Sequence, residues 1–246
     1  MRRRLFGVLI GTALLVPPTF VRLAAQAQTL TIDQILDSYV TAIGGRAAVE
    51  KITSLTARGT IDVPDANLSG TVEVFQKAPN KASTRIDLPG AGQQVDGFDG
   101  STAWASDMNG VRVKEGLELV EARRSAMFGR EIRLKEIYAK MTVTGREPVA
   151  GKDAYVIDAV PSEGTPAKLY FDVASGLLVR QIVTRQSPMG PIEVDVALDD
   201  YRVVDGVKRP FRIRQATSMY SAVVQYTDVK SNAPIDDSVF KKPGGL

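Results

Sequence analysis

From Leu55 onwards, apolar and polar residues alternate in short runs that end in turn residues, and this pattern most limits the folds open to the chain. In residues 55–63, alternate side chains point to opposite faces of a strand, as a half-buried strand requires. The pairs Asp99-Gly100 and Asn109-Gly110 are typical of tight hairpins. About ten or eleven strands linked by such turns predict antiparallel pairing. A sheet of that width curls or closes into a barrel.

Helical periodicity occurs in only two places. Thr31 and Gln34 form a capping box at the start of an apolar stripe that ends at Gly44-Gly45. Residues 116–138 predict two further helices, broken near Gly129. The predicted fold class is therefore mainly β with α: a large curved antiparallel sheet, or unclosed half-barrel, with an N-terminal helix and a central helical lid.

Residues 1–27 have the features of a secretory signal peptide. Arg2–Arg4 precede an apolar run over residues 5–16, and Ala25-Gln26-Ala27 is a small-x-small cleavage site. An uncleaved membrane anchor is the alternative, and the arginines also fit a twin-arginine signal. We expect an exported, periplasmic protein that is soluble after cleavage, with residues 28–246 forming a single half-barrel domain.

The chain contains no histidine and no cysteine. It therefore has no imidazole base, no thiolate nucleophile and no disulfide. Removing residues 1–27 takes away four of the 31 basic residues and none of the 28 acidic ones, which leaves a net charge of about −1. That balance and the expected location argue against a nucleic-acid partner. We expect no enzyme activity, no metal and no cofactor.

Several segments of the chain resemble the periplasmic outer-membrane lipoprotein carriers, the LolA-like lipoprotein-sorting family. The similar segments are YVTAIGG (39–45), KITSLTARGTI (51–61), Phe98-Asp99-Gly100 with Ala103-Trp104, YFDVASGLLVR (170–180) and DDYRVVDGVKRP (199–210). The resemblance implies an unclosed β-barrel with helices as a lid over an apolar cavity that takes up acyl chains.

The candidate ligand-binding residues are apolar side chains on the predicted strands and in the helical insert. They are Ile61, Val72, Val74, Trp104, Leu117, Val120, Met127 and Phe128. Trp104, the single tryptophan, suits either a cavity wall or a core anchor. The insert residues suit either a lid or ordinary packing on the sheet. Arg123 and Arg124 are candidates for membrane contact, with a solvated helix face as the alternative.

The leading hypothesis is a periplasmic carrier or sensor that binds an acyl chain, lipid or lipoprotein in an apolar half-barrel cavity. Transient contact with the membrane or with envelope proteins would accompany that role. The alternative is a non-catalytic structural or assembly module of the cell envelope whose barrel is filled by its own side chains. A hydrolase that uses carboxylates is a third reading, for which no pair of acids stands out.

Overall fold

The computed structural model describes residues 30–187 and 190–244, so the predicted signal peptide lies outside the described residues. The helices are α1 (Ile32–Ala42), α2 (Arg46–Glu50), α3 (Gly116–Ala126) and α4 (Leu134–Ile137). The strands are β1 (Ser54–Val63), β2 (Leu68–Lys77), β3 (Lys81–Leu88), β4 (Gly92–Phe98), β5 (Ala103–Asp107), β6 (Gly110–Val113), β7 (Tyr138–Val149), β8 (Lys152–Pro161), β9 (Ala167–Asp172), β10 (Leu178–Ser187), β11 (Gly190–Val204), β12 (Val207–Ala216) and β13 (Ser221–Ser231). No helix within these described ranges combines the length and apolar character needed to cross a membrane.

All the strands belong to one 13-stranded antiparallel sheet in the order β6-β5-β4-β3-β2-β1-β13-β12-β11-β10-β9-β8-β7. The pairing of β1 with β13 joins the two ends of the chain in the middle of the sheet. The edge strands β6 and β7 do not pair, and the helical insert connects them. The predicted fold class, a mainly β open half-barrel with an N-terminal helix and a central helical insert, is confirmed. The strand count is higher than expected.

Two local predictions need correction. Asp99-Gly100 does not form a two-residue hairpin, because Phe98 pairs with Ala103 across a four-residue loop. The Asp99 carboxylate accepts hydrogen bonds from the backbone N–H groups of Ser101 and Thr102, and these bonds stabilise the longer turn. The second of the two helices predicted for the insert is also much shorter than expected. After Gly129 the insert continues as a 3₁₀ turn over Arg130–Ile132 and the single-turn α4.

Helix α1 packs its apolar stripe onto the β7–β9 end of the sheet. The predicted capping box is present, since Gln34 N–H donates to Thr31 Oγ1 and Thr31 N–H donates to Gln34 Oε1. Tyr39 meets Phe171 of β9 edge to face, with 5.2 Å between the ring centroids. The helix ends where Gly44, at φ +116°, lies against the Gly206 carbonyl. An added Cβ would be 2.1 Å from that oxygen, so only glycine fits there.

Helix α1 and the middle of the sheet share one face, which we call the inner face. Paired residues in an antiparallel sheet lie on the same face. One series of partners runs from β9 beneath α1 to β13, namely Leu169, Gln181, Val196, Gln215 and Ala222. The core therefore extends along a single face of the sheet, with helices over part of it.

Candidate functional site

The inner face of the central strands carries an apolar surface, which we call the floor. It is formed by ten residues of β1, β2, β3, β12 and β13: Ile61, Val63, Val72, Val74, Ile86, Leu88, Ile213, Ala222, Val224 and Tyr226. Alternation along each strand brings them together, because every second side chain of each strand points to this face. Among the described residues, no helix contributes a side chain to this cluster.

The floor is largely shielded from solvent. Ile61, Val72, Ala222 and Val224 are at most 6% exposed, and the other six residues are partly buried. Burial also raises the pKa of Tyr226 to about 12, so its phenol stays neutral at physiological pH. The floor therefore offers an uncharged and largely apolar surface.

Helix α3 crosses the inner face and contacts strands on both sides of the floor. Its Leu119, Ala122 and Ala126 pack against β3, β4 and β5, where Phe98 and Ala103 form the facing cluster. On the other side α3 contacts β10. We call the space bounded by the floor, by β3–β5, by β10 and by α3 the hollow.

Polar contacts fix both the orientation and the position of α3. The Glu121 carboxylate accepts a hydrogen bond from Gln186 N–H of β10 at 2.9 Å and one from the Thr165 hydroxyl at 3.4 Å. At the start of the helix, Arg112 forms a two-pronged ion pair with Glu118, at 2.6 and 2.9 Å. The helix therefore acts as a strap between two walls of the sheet and is anchored more by polar than by apolar contacts on the β10 side.

Three of the predicted ligand-binding residues come together on the floor. Ile61 of β1, Val72 and Val74 of β2 belong to one cluster. Their role in ligand binding remains a prediction, but their placement on the inner face agrees with it.

Trp104 does not lie on a cavity wall, which was one of the two positions that the sequence suggested for it. Ala103 faces α3, so Trp104, the next residue, points to the opposite outer face. There its ring lies directly over Gly97, and it is only 2% exposed. Its indole N–H donates to the Phe240 carbonyl at 2.9 Å. Trp104 is a core anchor under the C-terminal segment, which corrects the cavity hypothesis.

The insert residues divide between the hollow and other surroundings. Leu117 is 49% exposed and does not contribute to the apolar contact of α3. Val120 lies against the loop at Gly164, which joins β8 to β9. Phe128 packs on the α1 core, and its N–H donates to the Pro79 carbonyl at 3.0 Å. Met127 is partly buried at the end of α3.

The two arginines predicted to contact a membrane also differ. Arg123 is exposed on α3, as that role requires. Arg124 is partly buried beside Gly164, and its Nη1 is buried without a hydrogen-bond partner within the described part of the chain. A membrane surface is therefore not the environment of the Arg124 side chain in this conformation.

The floor residues from the second half of the chain, such as Ile213, Val224 and Tyr226, are not among the predicted ligand-binding residues. Alternation marks them as one face of a strand, but no local pattern tells which distant strand lies beside them. The register of β13 with β1, where Val224 pairs with Ile61, brings them onto the floor.

A cavity of about 260 Å³ lies outside the hollow, on the outer face. Its lining comes from β1, β2, β13 and the C-terminal segment: Thr56, Arg58, Phe75, Asp228, Lys230, Ala233, Pro234, Ile235, Asp236 and Val239. Three of its charges already have partners, since Arg58 pairs with Glu73 at 2.9 Å and Lys230 pairs with Asp228 at 2.9 Å. This mixed polar lining is poorly suited to an acyl chain.

Comparison with protein-family models and with curated protein sequences finds no match for this chain. Similar solved structures do exist. A DUF1329 family protein from Desulfovibrio piger superposes with a TM-score of 0.56 and 13% identity, covering 85% of this chain and 97% of its own. A LolA superfamily protein from Nitrosomonas europaea gives 0.55 and 15%, covering 87% and 99%.

A third structure, described as an outer membrane lipoprotein-sorting protein domain from Vibrio parahaemolyticus, has a TM-score of 0.52 and 11% identity, covering 79% of this chain and 92% of its own. The TM-scores of these three structures indicate a shared fold, and at identities this low the likeness extends to the fold alone. This chain has a LolA-like fold, as its sequence resemblance implied.

Proposed function

We propose that this protein is an exported, non-enzymatic carrier or sensor that binds the acyl chain of a lipid or lipoprotein on the floor of the hollow. The observation that supports this most is the floor itself, a continuous apolar surface to which no helix among the described residues adds an apolar side chain. On a soluble protein, an apolar surface of that kind is more often a binding site for an apolar ligand than a surface left in contact with water.

The free energy gained by burying an acyl chain is sufficient for useful affinity. Each buried methylene contributes about 0.8 kcal/mol, so a chain with ten of them contributes about 8 kcal/mol before the entropy of association is subtracted. Besides the floor, such a site needs a movable cover, and helix α3 supplies it. It lies over the hollow and is held to β10 chiefly through Glu121, so it can move without disrupting the apolar core around α1.

Export rests on the signal-peptide features of residues 1–27, and the lipoprotein-sorting description of one structural neighbour supports an envelope role. In that setting the partners would be an acylated molecule and, transiently, the membrane or an envelope protein. The near-neutral charge of residues 28–246 supports the absence of a nucleic-acid role.

One observation favours the second candidate, a structural or assembly module with a filled barrel. Four of the ten floor residues are buried by the protein's own atoms. In that case the hollow would hold only its own side chains.

Probe binding to residues 28–246 separates the two candidates. The neutral dye N-phenyl-1-naphthylamine should bind saturably at micromolar concentration and be displaced by dodecanol. The double substitution Val63→Thr and Val74→Thr places hydroxyl groups on partly buried floor positions, and it should weaken dye binding about tenfold with little change in melting temperature. The matched control is Val113→Thr, which is 46% exposed and lies on the outer face beside Trp104. Absence of saturable binding, or equal loss in the control, would support the filled module.

A further inference from the structure

Two exposed apolar side chains lie at the end of the sheet that the floor reaches. Met219 and Tyr220 are in the β12–β13 turn and are 58% and 44% exposed. The carbonyl of Tyr220 accepts a hydrogen bond from Thr217 N–H at 2.9 Å, which extends the pairing of β12 with β13 to these two residues. Tyr220 is also two residues before Ala222 of the floor, so its side chain lies on the inner face, next to the floor.

The floor extends to the very end of several strands. Val63 and Leu88 are the last residues of β1 and β3, and Ala222 is the second residue of β13. Because neighbouring strands run in opposite directions, the turns β1–β2, β3–β4, β5–β6 and β12–β13 all lie at this end of the sheet. We call these four turns, residues 64–67, 89–91, 108–109 and 217–220, the rim. The rim therefore borders the floor.

Hydrogen bonds hold the β12–β13 turn in position. Thr217 Oγ1 accepts hydrogen bonds from the N–H groups of Met219 and Tyr220, both at 3.1 Å. The next residue, Ser221, donates its N–H and its hydroxyl to the Asp65 carboxylate of the β1–β2 turn, at 2.6 and 2.7 Å. Neither Met219 nor Tyr220 belongs to an apolar cluster of the described chain. The turn is thus fixed by polar contacts, and packing of the core does not account for its apolar side chains.

The composition of the rim suits contact with lipid. Asp65 is the single charged residue in these four turns, and it is already bonded to Ser221. The β5–β6 turn presents a further methionine, Met108, which is 78% exposed. Tyrosine is favoured at membrane–water interfaces, because its ring meets lipid while its hydroxyl stays hydrated. The flexible side chain of methionine adapts to irregular apolar surroundings. An almost uncharged rim with these side chains beside an acyl-binding floor has the chemistry of a bilayer contact.

We propose that the rim docks on the surface of a phospholipid bilayer, with Met219 and Tyr220 inserted at the level of the headgroups. An acyl chain then passes between the bilayer and the floor without crossing water. This proposal rests on the function proposed above, and it names both the surface that supplies or receives the ligand and the part of the chain that meets it. With so few inserted side chains, the attachment is shallow and reversible.

Flotation of residues 28–246, the expected mature chain, with phosphatidylcholine vesicles tests the contact. The double substitution Met219→Ser and Tyr220→Ser should lower the vesicle partition coefficient about tenfold, because two side chains no longer leave water. Its melting temperature should not change, since both side chains are exposed. The matched control is Val203→Ser, which removes a 64% exposed side chain near the β11–β12 turn at the opposite end of the sheet and should float like wild type.

A fluorescence measurement locates the contact. Tyr220→Trp adds an exposed indole to a chain whose own Trp104 is 2% exposed and lies on the outer face. Brominated phosphatidylcholine should quench the added fluorescence and leave that of Trp104. Protein that floats without this quenching would bind lipid through another surface, and the proposal would be wrong.

The outcomes separate docking from ligand binding. If neither N-phenyl-1-naphthylamine nor dodecanol binds in solution, the carrier function fails, and the docking proposal fails with it. If both bind, and wild type does not float or floats no better than the double variant, only the docking proposal is refuted; a protein partner would then be the occupant of the rim. Raising the salt from about 0.1 M to about 1 M should not release wild type, because the contact is uncharged. Flotation that needs anionic phosphatidylglycerol and is lost in high salt would instead indicate a basic surface such as Arg123 and overturn the proposal.

Discussion

Replacing Trp104 with Phe tests whether the single tryptophan is an anchor of the outer face. Its indole is 2% exposed, and the carbonyl that accepts its N–H belongs to Phe240, which is fully buried. Phenylalanine keeps an aromatic ring but has no donor. The variant therefore leaves the Phe240 carbonyl buried without its hydrogen bond and leaves a space where the larger ring lay.

Both effects reduce the free energy of unfolding. An unsatisfied buried carbonyl costs about 1–3 kcal/mol, and residual cavity volume adds about 24 cal/mol per Å³. Together they predict a loss of about 2–4 kcal/mol. For a protein of this length, each kcal/mol lowers the melting temperature by about 2–4 °C, so we expect a decrease of about 5–15 °C.

Thermal unfolding followed by far-ultraviolet circular dichroism measures this decrease. Tyr220→Phe is the control, because Tyr220 is 44% exposed and the change should hardly affect the melting temperature. At a temperature at which both proteins are folded, dye affinity should be unchanged in Trp104→Phe, since the ring lies on the face opposite to the floor. A variant that melts like wild type but binds the dye more weakly would refute the outer-face assignment and return Trp104 to the hollow.

Two other changes test the strap and the C-terminal segment. Glu121→Ala removes the acceptor that links α3 to Gln186 of β10, so bound dye should dissociate several-fold faster in stopped-flow measurements; an unchanged rate would mean that α3 does not gate the hollow. Hydrogen bonds from Lys77 and Lys81 hold the pKa of Asp237 at about 2, below its usual 3.8. A depressed acid pKa stabilises the fold fully above about pH 4 and loses this effect as the pH falls through about 2. When the free energy of unfolding is measured against pH, Asp237→Asn should therefore lose less stability than wild type between about pH 4 and pH 2. Parallel curves for the two proteins would contradict this.

Much of the local structure follows from short-range patterns. The capping box at Thr31 and the alternation in residues 55–63 depend on contacts between residues close in sequence, and both are found in the structure. The stop at Gly44 is also found, but it depends in addition on the close approach of the distant Gly206 carbonyl. The turn at Asp99 was less predictable. Asp-Gly favours a tight hairpin, but the Asp99 carboxylate can also bond to two backbone N–H groups, and this competing interaction determines the longer loop.

The site itself depended on long-range packing. Alternation shows that Ala103 and Trp104 point to opposite faces, but it gives the same result whichever face is inner. That choice is made by α3, which covers Ala103, and by the C-terminal segment, which covers Trp104.

The sequence by itself determined a wide antiparallel sheet, two helical regions and the alternating faces of each strand, because these arise from local sterics and periodicity. Only the tertiary structure decided that residues of β1, β2, β3, β12 and β13 form one floor and that α3 reaches from β3–β5 to β10. The physical reason is that strand register and the curvature of the sheet depend on contacts between segments more than a hundred residues apart, as in the pairing of Ile61 with Val224.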